Sequence, residues 1–406
     1  MQKIKNLYHL IQSLVANIYY GFPSRKLKVI GVTGTDGKTT TTHLIYHILK
    51  SAGKKVSMIS SVYANIAGQT HDTGFHVTTP DVFPLQRFLR QSVAAGDEYF
   101  VLETTSHALA QNRVSNIHFE AAVVSNITHE HLDFHKSYQD YVKSKAILLK
   151  NAKITLLNRD DKSFLFLKNL LEKKYFTYGF RQKTDYHVDP NKKFNLNLTN
   201  FNKYNYLAAY ALTDLLGLNE QKIITAIKTF KLPQGRLEIV VKKPITVLID
   251  FAHTPNALHE VLSEVKKRLL KSNSRLIHVF GSAGLRDSSK RPLMGKESGK
   301  YADIVILTEE DYRTEDPLQI AKQIATGIQE KGFKFIDSNY SNNWNKNLYS
   351  IVLDRKKAIE TAIEIAKPGD IVILTGKSHE KSLCRDKTEY PWDEKKAVME
   401  AIKKYK

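Results

Sequence analysis

The segment Thr33-Gly34-Thr35-Asp36-Gly37-Lys38-Thr39-Thr40 follows a β-branched, apolar run at 27–32 and precedes Leu44, Ile45, Ile48 and Leu49 at helical spacing. Glycines in a strand-to-helix turn let the backbone wrap closely around phosphate oxygens, with peptide amides and the helix N-terminus as donors. In such a loop Lys38 balances phosphate charge and the Thr39 hydroxyl can ligate Mg²⁺. Val32 stands where the strict P-loop spacing has its first glycine, and Gly34 supplies an equivalent turn. The chemistry implied is binding of ATP and transfer of its terminal phosphoryl group.

Two further groups could serve that chemistry. Glu103 ends an apolar run at 98–102, and a hard carboxylate beside a P-loop is a natural Mg²⁺ ligand. His131 follows the next run, at 119–125, with His135 four residues on; no neighbouring Glu or Cys completes a zinc set, and His107 and His135 read as structural hydrogen-bonding histidines. Ser137 and Asp140 have the pattern of a capping box, and Tyr138, Tyr141, Val142, Leu148 and Leu149 outline the apolar face of the helix it starts. Lys145 lies on that face. Spacing alone favours a lysine that snorkels to solvent; the other reading is an amine kept out of water, hence more readily neutral, that adds CO₂ to become a carbamate and a carboxylate-like metal ligand.

Around these residues the pattern alternates strand, loop and helix. Apolar runs at 27–32, 98–102, 119–125 and 154–157 predict a parallel α/β sheet, with Thr33 to Thr40, Glu103, Asn126 to His131 and Asn158 all after strand C-termini, where such sheets bind ligands. A second series, at 245–249, 276–280, 303–307 and 371–374, follows Pro233-Gln234-Gly235, which places a domain boundary near Gly235. Before the first strand, Ile4, Leu7, Tyr8, Ile11, Leu14, Val15, Ile18 and Tyr19 form one stripe at helical spacing, stopped by Gly21-Phe22-Pro23. The simpler reading is a helix packed onto the following domain; the alternative is an interfacial anchor, with Lys3, Lys5, Arg25, Lys26 and Lys28 near anionic lipid.

The chain of 406 residues, 42% hydrophobic and 25% charged, has room for two cores and no apolar run long enough to span a bilayer. No secretory signal is evident, and Cys384, the single cysteine, fits a reducing cytoplasm. Lys and Arg number 61 against 41 Asp and Glu, a net +20 that attracts anions: nucleotides, phosphorylated substrates, acidic lipid or nucleic acid. No helix-turn-helix, zinc-finger or RNP-type pattern accompanies the charge, so no nucleic-acid partner is expected.

Jointly these motifs resemble the Mur ligase family, and within it the muramoyl-tripeptide synthetase branch, over about residues 28 to 400. Gly34-Thr35-Asp36-Gly37-Lys38-Thr39-Thr40 resembles its ATP loop, with Asp36 where Asn is usual, and His131-Leu132-Asp133-Phe134-His135 with Tyr141 and Lys145 resembles the segment leading to a carbamylated lysine. The resemblance implies Mg²⁺ on Thr39 and Glu103, and a second on His131 and carbamylated Lys145. It implies Asn202 and Asn205 near adenine, Arg236 at the domain junction and Asp250, in Asp250-Phe251-Ala252-His253-Thr254-Pro255, near the ribose. Thr78, Thr79, Thr105, Gln111 and Arg113 would touch the carboxylate substrate, a muramoyl-peptide-like acid, while Arg291, Arg313, Gly376 and Glu380 would touch the incoming amino acid. Glu310-Asp311-Tyr312-Arg313 departs from the Asp-Asn-Pro-Arg of the diaminopimelate-adding branch, which leaves that amino acid open although Arg313 suits a carboxylate.

The architecture implied is a short N-terminal helical segment (1–27), a central P-loop parallel-sheet ATPase domain (28–235) and a C-terminal Rossmann-like α/β domain (236–406). About 27 residues ahead of the ATPase domain are too few for the family's usual N-terminal UDP-binding domain, so a reduced dependence on UDP is expected. The reaction implied is an ATP-dependent, ADP-forming ligation through an acyl phosphate, with Lys38, Lys145 and Arg236 as its catalytic group, in cytoplasmic peptidoglycan precursor synthesis. Rival readings are a folylpolyglutamate-synthase-like or cyanophycin-synthetase-like ligase and, outside enzymes, a nucleotide-dependent binding protein. The Ser106-His107-Ala108-Leu109 and Gly376-Lys377-Ser378-His379-Glu380 runs weigh against a folate enzyme.

Overall fold

The computed structural model describes the chain apart from residues 1, 73, 75–77, 129, 272 and 338–343; the side chains of 2–5 and 132 also lie outside the described residues. His129 in the motif before His131, and the side chains of Lys3, Ile4 and Lys5 in the N-terminal segment, are therefore not described. Two compact units result, residues 1–128 with 135–233 and residues 129–134 with 234–406.

The first unit is built on nine strands: β1 (Lys28–Thr33), β2 (Val56–Ile59), β3 (Ala64–Ile66), β4 (Gln69–His71), β5 (Tyr99–Glu103), β6 (Phe119–Val124), β7 (Ala152–Asn158), β8 (Phe176–Gly179) and β9 (Tyr186–His187). They pair in the order β4-β3-β2-β5-β1-β6-β7-β8-β9, antiparallel only at β2-β3 and β3-β4. The runs expected at 27–32, 98–102, 119–125 and 154–157 are β1, β5, β6 and β7. They read as continuous apolar runs because helices cover both faces. Val29, Phe100, Leu102, Phe119 and Leu148 fill one side of the sheet, and Ile30, Val32, Leu44, Ile48 and Leu207 the other. The chain leaves β1 toward β2 and β5 on one flank and returns to β6 on the other, so the carboxyl end of β1 is a topological switch point, where open α/β sheets hold ligands.

Between β1 and β7 the chain forms α2 (Lys38–Ser51), α3 (Val82–Ala94), α4 (Ser106–Ala110), α5 (Leu132–His135) and α6 (Tyr138–Asn151); α2 and α6 pack against β1, and α4 packs against α6. The expected cap of α6 is present: the Ser137 hydroxyl accepts from the Asp140 amide at 3.1 Å.

In the second unit, β10 (Glu238–Val241), β11 (Thr246–Asp250), β12 (Leu276–Phe280), β13 (Ile304–Leu307), β14 (Lys334–Phe335), β15 (Leu348–Ile351) and β16 (Ile371–Thr375) pair as β10-β11-β16-β12-β13-β15-β14. Only the β10 edge is antiparallel. Val247, Ile249, Ile277, Val279, Ile304, Val372 and Leu374 belong to one core here. The apolar runs expected at 245–249, 276–280, 303–307 and 371–374 are β11, β12, β13 and β16; the short or half-exposed β10, β14 and β15 carry too weak an alternation to stand out.

The N-terminal helix α1 (Gln2–Tyr19) forms and packs onto the first unit, against α3, but not through its apolar stripe. Ser13, Ala16 and Asn17 are buried, whereas Leu7, Tyr8, Ile11, Leu14, Val15, Ile18 and Tyr19 are exposed. The polar, small-residue face makes the tertiary contacts: Ser13 Oγ donates to the Ser115 carbonyl, and Asn112 Nδ2 donates to the Asn6 carbonyl at 3.1 Å. Among the described residues no helix is long and apolar enough to cross a membrane.

Candidate active site

The phosphate loop turns between β1 and α2 with Gly34 at φ +146° and Gly37 at φ +83°, values that favour glycine. Space demands glycine as well. A Cβ on Gly34 would lie 1.9 Å from Ser125 Oγ, and one on Gly37 2.2 Å from Asn205 Oδ1. The loop is clamped from β6: Thr35 N donates to the Asn126 carbonyl (2.7 Å), Asp36 N to Asn126 Oδ1 (3.0 Å), and Ser125 Oγ to the Asp36 carbonyl (2.6 Å). Lys38 Nζ donates to the Thr35 carbonyl at 2.8 Å, closing the loop on itself. Asn205, hydrogen-bonded to Asn202 at 3.1 Å, is buried and braces the loop at Gly37; Thr40 is buried in the first turn of α2.

Thr39 Oγ1 donates to Glu103 Oε1 at 3.1 Å, and the other carboxylate oxygen accepts from Ser61 N at 2.9 Å. A hydroxyl and a buried carboxylate in contact beside a phosphate loop are hard oxygen donors of the kind Mg²⁺ takes while retaining water and phosphate ligands. The donor chemistry thus fits the expected ion. Among the described residues no group of three or more His, Cys, Asp or Glu could hold a metal without such outside ligands.

Lys145 does not snorkel. It is buried, its Nζ donates to the Gly34 carbonyl at 2.7 Å, and the amine stands over the Tyr141 ring at 4.5 Å. Tyr141 OH in turn meets Thr35 Oγ1 at 3.1 Å, so α6 grips the loop through two side chains. Beside them His135 bonds Ser106 Oγ at 3.0 Å; burial, with the Lys145 charge adding, pushes its pKa down to about 4. That neutral, hydrogen-bonded ring is the structural histidine expected. His131, at φ +56°, belongs to the segment that groups with the second unit, where Glu130 accepts from Lys290 Nζ at 2.9 Å.

The residues expected at the carboxylate substrate converge beyond β5. Thr79 Oγ1 donates to the Glu103 carbonyl (2.9 Å) and accepts from Thr105 N (3.0 Å), while Thr105 caps α4. Arg113 Nη1 reaches the Thr79 carbonyl at 3.0 Å and Asp81 at 3.2 Å; burial lowers its pKa, the signature of a guanidinium held partly out of water. Thr78 and Gln111 flank these groups, both half-buried.

In the second unit Asp250 accepts from Leu237 N (2.7 Å) and Ala252 N (2.8 Å), which fixes the turn presenting Arg236, whose guanidinium covers the Phe251 ring at 4.8 Å. Ser378 Oγ donates to the Gly235 carbonyl at 3.0 Å, joining that turn to the loop of Gly376 to Glu380. Lys377 Nζ lies between Asp311 (2.8 Å) and Glu380 (2.7 Å). Arg313, at φ +53°, donates to the Gly284 carbonyl at 2.8 Å. Arg291, expected to touch the incoming amino acid, already has protein partners. It is fully buried, with Nη1 and Nη2 both on Glu315 and further bonds to Gln323 and the Ala283 carbonyl, so its fork is occupied within the protein.

Glu310 escaped sequence reasoning as a site residue. It is buried, its Oε2 has no hydrogen-bond partner among the described residues, and a Cβ on Gly376 (φ +100°) would approach that oxygen to 2.7 Å. Burial, then the neighbouring Asp311 charge, raises its pKa to about 7. The available signal was its adjacency to Arg313 in an acidic run, which does not reveal the missing partner.

The fold and the loop together define a phosphate-loop protein with a second α/β unit. Comparison with known proteins sharpens that class. Residues 32–218 match the Mur ligase middle domain and residues 235–378 the Mur ligase glutamate ligase domain. The chain is 37% identical over 405 residues to a UDP-N-acetylmuramoyl-L-alanyl-D-glutamate–2,6-diaminopimelate ligase of Aquifex aeolicus, covering 95% of this chain and 80% of that one. It is also 37% identical over 415 residues to a UDP-N-acetylmuramyl-tripeptide synthetase of Borreliella burgdorferi, covering 95% and 78%. A solved diaminopimelate ligase of the same name as the Aquifex protein superposes with TM-score 0.59 at 28% identity over 97% of this chain and 83% of that one. E. coli FolC in complex with DHPP and ADP superposes with TM-score 0.68 over 97% and 92%, but at 19% identity that likeness shows the fold alone. The chain belongs to the Mur ligase family, whose members are ATP-dependent, ADP-forming acid–amino-acid ligases.

Proposed function

We propose that this ligase joins a diamino acid to the terminal carboxylate of a muramoyl peptide, in the cytoplasm, during assembly of peptidoglycan precursors. The observation that carries the reading is the Thr39–Glu103 contact beside the Lys38 loop, because it sets a divalent-ion donor pair where a γ-phosphate would lie. Support for the substrate class comes from the relatives named for muramoyl-peptide ligation at 37% identity.

In this reading residues 28–235 bind ATP and the acid, and residues 236–406 bind the amino acid. Gly34, Thr35, Asp36, Gly37, Lys38, Thr39 and Thr40 enclose the phosphates, with Asn202 and Asn205 behind the loop and toward adenine, and Arg236 and Asp250 serving the nucleotide from the second unit. Thr39 and Glu103 would hold Mg²⁺, which when bound screens the γ-phosphate from the substrate carboxylate. His131 and a carbamate on Lys145 are the further ligands proposed; the amine would add CO₂ and release one proton. Protonated, the Lys145 ammonium would have no lone pair to offer a cation, whereas the carbamate offers carboxylate-like oxygens.

Thr78, Thr79, Thr105, Gln111 and Arg113 orient the acid, whose carboxylate oxygen attacks the γ-phosphorus as ADP leaves. The amine then attacks the acyl carbon, the C–N bond forms, and phosphate leaves with the carboxylate's former oxygen. Arg313, Gly376 and Glu380 hold the amino acid, with Arg291 positioning the region through Glu315. The acidic group of Glu310, Asp311 and Glu380 around Lys377 favours a substrate with a second amine.

A peripheral contact of α1 with membrane lipid belongs to the same proposal, as does tolerance for muramoyl peptides lacking UDP. The test is amino-acid-dependent ADP release with UDP-linked, UDP-free and lipid-linked muramoyl dipeptides, each offered meso-diaminopimelate, L-lysine, L-ornithine and L-glutamate. Turnover with a diamino acid supports the reading; turnover only with a pteroate acceptor and glutamate would replace it with the folate alternative.

A further inference from the structure

An amphipathic helix on a soluble domain normally buries its apolar stripe. Here α1 is mounted the other way round. Its inner face is Asn6, His9, Ser13, Ala16, Asn17 and Tyr20, while the stripe from Leu7 to Tyr19 is open, with Ile11 55%, Ile18 61% and Tyr19 75% exposed. Within the described residues the helix is held by specific polar bonds, Ser13 Oγ to the Ser115 carbonyl and Asn112 Nδ2 to the Asn6 carbonyl. These bonds fix which face looks outward. So long a row of exposed Leu, Ile, Val and Tyr is far beyond the scattered apolar residues of an ordinary surface.

Charge decides what covers it. No acidic residue occurs before Asp36, while Lys3, Lys5, Arg25, Lys26 and Lys28 all lie in that stretch. Arg25 and Lys26 follow α1 in an exposed single turn, and α3, against which α1 packs, exposes Arg87, Arg90 and Phe83. A second copy docking by the same patch would set these cations against their equivalents, which opposes two-fold pairing. An anionic lipid surface complements both the charge and the stripe, and the exposed Tyr8 and Tyr19 suit the headgroup boundary.

We infer that α1 is a monotopic anchor that lies in the plane of an anionic bilayer. It bonds the loop between Gln111 and Arg113, so the anchor holds the proposed acid-binding loop next to the bilayer; this last point rests on the acid-binding role proposed above.

The test is flotation of the full chain with vesicles of phosphatidylcholine alone or with about one part in three phosphatidylglycerol. The native chain should float with the anionic vesicles and not the neutral ones, and binding should fall at least about tenfold in high salt. Ile11→Asp/Leu14→Asp, both on the open face, should abolish flotation, and Arg25→Glu/Lys26→Glu should weaken it at least about tenfold. Absence of native flotation, equal flotation of the variants, or a dimer in solution that Leu14→Asp dissociates without any vesicle binding would each overturn the inference. ADP release on a soluble acceptor, measured on the same preparation, separates the two readings: flotation without turnover leaves the anchor standing and removes the ligase assignment, and turnover without flotation does the reverse.

Discussion

Lys145 Nζ lies 2.7 Å from the carbonyl oxygen of Gly34, so the buried face of α6 touches the first glycine of the phosphate loop directly. If that loop holds phosphate, a change in the state of the amine should be felt there. Lys145→Ala should lower turnover by at least about a hundredfold, with partial recovery on adding acetate or formate if the lysine acts as its carbamate. Steady-state ADP release with and without the small acids checks this. Loss of turnover with no rescue, and no dependence on CO₂ in the native enzyme, would leave Lys145 as a structural brace.

Lys38→Ala should abolish ATP turnover, a cost of about 3–4 kcal/mol or more in the barrier, because it removes a charge placed on the transferring group. The melting temperature should hardly move, since Lys38 bonds only the nearby Thr35 carbonyl. Near-normal turnover would remove the loop from the chemistry.

Gly34→Ala should act differently, harming structure and binding together. The added Cβ would meet Ser125 Oγ at 1.9 Å in a backbone region closed to side chains. A destabilisation of about 1–3 kcal/mol is expected, with at least about tenfold weaker ATP binding, measured by denaturant unfolding and by titration with ATP.

These residues were legible because their signals are local. Gly34 to Thr40 lies within one turn, Ser137 and Asp140 are three apart, and the apolar runs of β1, β5, β6 and β7 need only their own sequence. What was not legible depends on partners far along the chain. The stripe of α1 predicts a helix, but the bonds from Ser13 and Asn6 to the 112–115 loop decide which face is inside, a hundred residues away. The partners of Arg291 and Glu310 were hidden for the same reason: Glu315 and Gln323 bond the arginine, and among the described residues none bonds Glu310 Oε2.

Glu310 gives the account a pH dependence. Its folded pKa, about 7, lies above the ordinary 4.5 of a glutamate, so the folded state holds a proton that the unfolded chain has released between those values. Stability should therefore fall as pH rises from about 4.5 to about 7 and stay at the lower level above it, by an amount on the order of 1–3 kcal/mol. If the ionised carboxylate receives the substrate's amine, KM for the amino acid should fall as pH rises through about 7. Glu310→Gln should flatten both profiles. An unchanged KM profile in that variant would remove Glu310 from amino-acid recognition.

The central claim is that ATP activates a carboxylate as an acyl phosphate that an amine then captures. Oxygen transfer reports this directly: a muramoyl dipeptide with ¹⁸O in its terminal carboxylate is turned over with ATP and the preferred diamino acid, and the phosphate released is analysed by mass spectrometry. The account predicts one ¹⁸O in each phosphate formed, in step with amide product and ADP. Unlabelled phosphate accompanying amide formation would contradict it.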